Sequence, residues 1–127
     1  MKLALDTNAY RAFMDGAEAA VRLVRQADAI GMPVPVLGEL RFGFLAGTRG
    51  RQNEAALQRF LDSPRVQVLA CDELTSHFFS EIKLQLKKQG TPIPINDVWI
   101  AALVSQHGMT LLSYDSDFDR LPQLPRA

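Results

Sequence analysis

"MKLALDTNAY", residues 1–10, is the stretch on which the fold turns. Leu3, Ala4 and Leu5 make a short uninterrupted apolar run, the pattern of a strand buried on both faces of a parallel sheet. Asp6 falls where such a strand leaves the sheet, and two small polar residues, Thr7 and Asn8, follow it. One role for this aspartate is to cap the helix suggested by "AYRAFMDG" (9–16), by accepting from exposed backbone N–H groups. Another is to act as a metal or catalytic carboxylate, because open α/β sheets gather their ligands at the carboxyl ends of central strands. The first ten residues leave both roles open.

Outward from this strand the chain alternates. "AEAAVRLVRQADAIG" (17–31) carries Ala17, Ala20, Val21 and Val24 at helical spacing and predicts a helix that stops at Gly31. "MPVPV" (32–36) is extended and proline-broken, a second strand or its approach. "LGELRFGFLAG" (37–47) reads as a short helix loosened by glycines, and "QNEAALQRFLDS" (52–63) as another helix, ended by Pro64. "RVQVLA" (65–70) alternates as a strand. "DELTSHFFSEIKLQLKKQG" (72–90) is the longest helix, with acids at its start and lysines at its end to suit the helix dipole. "TPIPI" (91–95) is a stiff connector and "NDVWIAALVSQHG" (96–108) a helix. "MTLLS" (109–113) is a buried strand, "YDSDFDRL" (114–121) a turn or short helix, and the proline-bearing tail holds room for a last short strand. Strands alternating with helices predict a three-layer α/β/α sandwich around a mainly parallel sheet. At 127 residues the expectation is a single domain spanning 1–127.

Composition narrows the function classes. Fourteen Lys and Arg balance 14 Asp and Glu, which removes the simple argument from a basic footprint to nucleic acid. Positive residues would have to act locally, as in "RGRQNEAALQR" (49–59) or "KLQLKKQG" (83–90), although a solvated helix face explains either. A single cysteine, Cys71, excludes a disulfide framework and a cysteine-based zinc site. The opening apolar run is cut at Asp6, too short for a signal peptide or a membrane span, so the reading is of a cytoplasmic protein without a membrane partner.

The acids then matter as a set. Asp6 follows strand one, Glu39 opens the helix after strand two, Asp97 opens the helix before "MTLLS", and Asp115 and Asp117 follow that strand. Singly, each has an ordinary structural role: Glu39 as a first-turn acid, Asp97 as the same beside an Asn96 cap, the late aspartates as turn formers. Together they fall at element boundaries that a doubly wound sheet brings to one edge, where unpaired carboxylates repel one another. Mg²⁺ or Mn²⁺ is the natural counter-ion, since hard divalent cations prefer oxygen ligands and no Cys or His cluster competes.

In this order and spacing, "LDTN" (5–8), "GELRFG" (38–43), "INDVWIAA" (95–102) and "LLSYDSDF" (111–118) resemble the PIN-domain family, and specifically its VapC-type toxins of prokaryotic toxin–antitoxin pairs. The resemblance runs the length of the chain. It implies an Mg²⁺- or Mn²⁺-dependent endoribonuclease that hydrolyses RNA phosphodiester bonds. Asp6, Glu39 and Asp97 match the family's three main acids, and Asp115 matches a fourth position filled by Asp or Asn. Thr7, Asn8 and Ser113 match supporting polar positions. The doubled acid, Asp115 with Asp117, departs from the pattern; Asp115 is assigned to the metal shell and Asp117 to a cap or outer-shell role. The resemblance further implies a homodimer and a VapB-like antitoxin, for which "RFGFLAG" (41–47) offers Phe42, Phe44 and Leu45. Arg41 has two readings, a surface salt bridge or an RNA phosphate contact. Two other function classes fit in outline: a receiver-like signalling domain, which lacks a lysine after a late strand, and a degenerate PIN module that binds without cutting.

Overall fold

The computed structural model describes residues 1–127. Four strands, β1 (Lys2–Leu5), β2 (Ala29–Pro33), β3 (Val66–Leu69) and β4 (Thr110–Leu112), form one sheet in the order β3-β2-β1-β4, and every pairing is parallel. Six helices flank it: α1 (Thr7–Met14), α2 (Glu18–Gln26), α3 (Val34–Ala46), α4 (Gly50–Leu61), α5 (Glu73–Gln89) and α6 (Ile95–Gln106). A 3₁₀ turn at Ser116–Arg120 follows β4.

The expected first strand is the central one. Leu3, Ala4 and Leu5 are all fully buried, hydrogen-bonded to β2 on one side and β4 on the other. The chain leaves β1 stepwise toward β2 and β3, then returns across the sheet to lay β4 on the opposite flank of β1. Parallel crossovers are right-handed, so this reversal sends α1–α4 to one face and α5–α6 to the other. The packing agrees: α1 rests on α2 and α3, α3 on α4, and α5 on α6. A contiguous cluster of 30 buried apolar residues joins both layers to the sheet.

Three boundaries differ from expectation. The helix read as running to Gly31 ends at Gln26, since Ala29–Gly31 pair with Lys2–Ala4 and form β2. Gly31 leaves room there for two core side chains: a Cβ would stand 2.5 Å from Met109 Sδ and 2.9 Å from Leu69 Cδ1. Val34–Val36, read as strand, form the first turn of α3. Pro35 lies in that turn, where a missing N–H leaves no bond unmade. Glu39 therefore sits in the second turn of α3 rather than at its opening. The Asn96 cap is also absent; Pro94 precedes α6, and Asn96 donates to the Pro35 carbonyl at 3.4 Å. The tail contributes a single parallel bridge, Leu111 with Arg126.

Candidate metal centre

In a doubly wound sheet the ligand crevice opens where consecutive crossovers part in opposite directions. Here that point lies between β1 and β4, and the residues leaving those two strands are Asp6 and Ser113–Asp117. Asp6 is 5 % exposed. It caps α1, accepting from the Ala9 N–H at 2.8 Å through Oδ1, while Oδ2 accepts from the Ser113 hydroxyl. The cap and the crevice position are thus the same residue. Burial raises its pKa above the usual aspartate value, the Ser113 and Ala9 hydrogen bonds oppose that, and the charges of Asp115 and Glu39 add to it.

The remaining acids arrive from separate elements. Thr7, the first residue of α1, donates its hydroxyl to Glu39 Oε1 at 2.9 Å, which ties α3 to the strand-one corner. Asp97 lies in the first turn of α6, half-buried. Its pKa is raised to about 6, first by burial and then by the charges of Asp115, Glu39, Asp117 and Asp6. Carboxylate oxygens of Asp97, Asp115 and Asp117 all lie within 4.8 Å of one another. Such spacing of hard oxygen donors, with no compensating base among them, fits a divalent cation of the Mg²⁺ or Mn²⁺ type.

A cleft of about 350 Å³ opens onto these groups, lined by Asp6, Thr7, Asn8, Glu39, Asp97 and Asp115 together with Arg11, Phe42, Gly43 and Ile100. The sequence-predicted acids and their supporting Thr7, Asn8 and Ser113 therefore converge. One detail differs from expectation. Asp115, not Asp117, caps the 3₁₀ turn, accepting from the Asp117 N–H at 2.9 Å, because its side chain is the one that reaches back over the exposed amide. Asp117 meanwhile belongs to the tightest acid trio.

Arg41 is not among the cleft residues. It faces α4, where its guanidinium forms a forked ion pair with Glu54 at 2.9 and 3.0 Å. The surface salt bridge is the reading the structure supports. It lines a larger, open groove of about 1230 Å³ along α3 and α4, with Phe44 and Leu45. Two contributors escaped the sequence reading. Arg11 lines the acid cleft; its spacing of four from Thr7 on one helix was the available signal. Arg126, in the tail, donates to the Ser113 carbonyl at 3.1 Å and to Asp119 at 3.1 Å, pinning the loop after β4, a contact no local pattern encodes. Asp72, the phosphoacceptor position a receiver would need, instead caps α5 within a capping box and accepts from Gln106.

Comparison with known proteins agrees with this geometry. The PIN domain family model matches residues 3–124. Ribonuclease VapC4 of Mycobacterium tuberculosis is 32% identical over 94 residues, 74% of this chain and 72% of that protein. The solved structure of VapBC-1 from nontypeable Haemophilus influenzae superposes with a TM-score of 0.84 at 26% identity, covering 100% of this chain and 97% of that one. VapBC-5 from Mycobacterium tuberculosis, a member of the VapBC family of toxin–antitoxin systems, gives 0.77 at 25% identity, over 99% and 98%. The family-model match over nearly the whole chain and the identity to VapC4, with the acidic crevice between β1 and β4 in accord, place the chain in the PIN-domain family, among its VapC members.

Proposed function

We propose that this chain is a metal-dependent endoribonuclease and the toxin of a toxin–antitoxin pair, acting as one PIN-like domain in the cytoplasm. The observation that carries the reading is the convergence of Asp6, Glu39, Asp97 and Asp115 on one cleft at the crevice of the sheet, with Asp117 close to Asp97 and Asp115. Asp97, Asp115 and Asp6 would hold Mg²⁺ or Mn²⁺, with Glu39 and Asp117 completing the oxygen set, directly or through water. When bound, such an ion supplies Lewis-acid activation of the phosphate and a lowered pKa for an attacking water.

The chain's own groups supply the rest. Ser113 donates to Asp6 and accepts from the Asp115 N–H at 3.0 Å, so one hydroxyl fixes the spacing of acids from two strands. Thr7 orients Glu39 in the same way. A raised Asp97 pKa means that the cation-free cleft holds a proton up to about pH 6, which a bound cation would displace. Asn8, exposed at the cleft, offers an amide to a sugar or phosphate of the RNA.

The groove along α3 and α4 supports the antitoxin part of the reading, since Leu45 is 88% exposed and Phe44 lies beside it. An apolar helix or extended tail would cover them. Homodimerisation rests on the family alone. In the deciding experiment the purified chain is incubated with cellular RNA plus Mg²⁺ or Mn²⁺, with the Asp6→Ala variant as blank. Cleavage by the wild type alone supports the reading, and equal recovery of intact RNA from both overturns it. Relief of growth arrest by the adjacent open reading frame tests the partner.

A further inference from the structure

Arg11 is the single cation that lines the acidic cleft. Its guanidinium nevertheless takes part in none of the ion pairs of the molecule, whereas Arg41, Arg120 and Arg126 are each engaged with a carboxylate. It projects from α1 one turn beyond Thr7 and lies against α3 at Gly43, where a Cβ would stand 3.1 Å from Arg11 Nη2. Glu39 and Gly43 are four residues apart on α3, on one face of that helix. The seat of the guanidinium and the Glu39 carboxylate are therefore neighbours, yet the donors stay free.

A cluster of carboxylates repels any polyanion that approaches it, and a chain of zero net charge has no general field to offset that. A rim cation with an open, planar fork of donors is the group that relieves this locally, and guanidinium matches phosphate geometry in two-point contact. Resting on the proposed ribonuclease reading, we propose that Arg11 is a substrate-positioning residue: it binds a non-scissile phosphate of a single-stranded RNA whose neighbouring phosphate lies at the acids. Gly43 is the small residue that leaves room for the guanidinium to lie across α3.

The test is binding of a fluorescein-labelled single-stranded RNA 20-mer, followed by anisotropy in Mn²⁺ across a range of salt. The full chain carries Asp97→Asn to keep the RNA uncut, and circular dichroism confirms that every variant is folded. Arg11→Ala is expected to weaken binding about tenfold or more and to reduce the slope of log Kd against log salt by about 0.7, the value for one phosphate contact on a single strand. Arg11→Lys restores the slope but only part of the affinity. Gly43→Ala, which keeps the charge and narrows its seat, weakens binding by about two- to threefold while leaving the slope near that of the parent. Unchanged affinity and slope in Arg11→Ala overturn the proposal, as does a parent that binds no RNA. Whether the wild type cuts RNA in Mn²⁺ is read in a separate assay, so failure of the Arg11 assignment and failure of the ribonuclease reading give different results.

Discussion

Asp97 makes the cation-free protein less stable than it would be with a neutral residue at that position, and Asp97→Asn measures by how much. Moving an aspartate from 3.8 to about 6 corresponds to about 3 kcal/mol, at roughly 1.4 kcal/mol for each tenfold change in proton affinity. Solvent at the cleft mouth screens part of the repulsion, so about 1–2 kcal/mol is the expected effect. The sign follows from proton binding. Between 3.8 and about 6 the folded state holds a proton that the unfolded state has released, so this group's contribution to stability is fully present below the lower value and is lost as pH rises through the upper one. Asn keeps the shape and removes the charge. In EDTA at pH 7, Asp97→Asn should raise the urea midpoint by roughly 0.5–1 M, for a typical slope of about 2 kcal/mol per molar. At pH 4 the two proteins should nearly coincide. Adding Mn²⁺ at a hundred times its Kd should stabilise the wild type by about 2.7 kcal/mol and close or invert the gap. A variant no more stable than wild type at pH 7 in EDTA, or a gap equally large at pH 4, would refute the reasoning.

Ser113→Ala leaves the buried Asp6 Oδ2 without its donor, so stability at pH 7 should fall by about 1–3 kcal/mol in urea denaturation. The loss should shrink as pH falls, because burial raises the Asp6 pKa and a protonated carboxyl there carries no buried charge. Asp115→Ala removes both a cleft oxygen and the cap on the 3₁₀ turn; calorimetry should show weaker Mn²⁺ binding, and denaturation a loss of about 1 kcal/mol. Asp117→Ala should weaken Mn²⁺ binding less than Asp115→Ala does and leave stability within about 0.5 kcal/mol. Asp72→Ala breaks the capping box of α5 and its link to Gln106; it should lower stability by about 1–2 kcal/mol while RNA cleavage per folded molecule stays at the wild-type rate.

Much of this architecture is legible in the chain because the central strand is buried on both faces. "LAL" and "MTLL" read as strands without alternation, "RVQVLA" as an alternating one, and parallel topology follows from the helices between them. What misled the reading were places where propensity and pairing disagree. The alanine-rich run after Glu18 continues the helical pattern into Ala29 and Ile30, but the open edge of β1 recruits those residues into β2. Two prolines in "MPVPV" suggest extended chain, yet Pro33 and Pro35 bracket a helix start, where a fixed φ and an absent N–H are both tolerated.

Side-chain direction was harder to read than element type. Arg41 and Glu39 stand two apart on α3, and residues at that spacing do not share a helix face; only once α3 is seen to span Val34–Ala46 does Glu39 turn to the cleft and Arg41 to Glu54 on α4. Arg11 reaches the acids through the opposite circumstance, a helix whose register is fixed at its first residue. Asp6 caps α1, so Thr7 and Arg11 fall on one face by construction, and that face meets α3 at Glu39 and Gly43. The aspartate that begins the cleft thereby also sets the phase of the helix that brings a cation to it. A change that moved the cap by one residue would rotate Arg11 by about 100° around α1, separating the only cleft cation from the acids while leaving every strand in place.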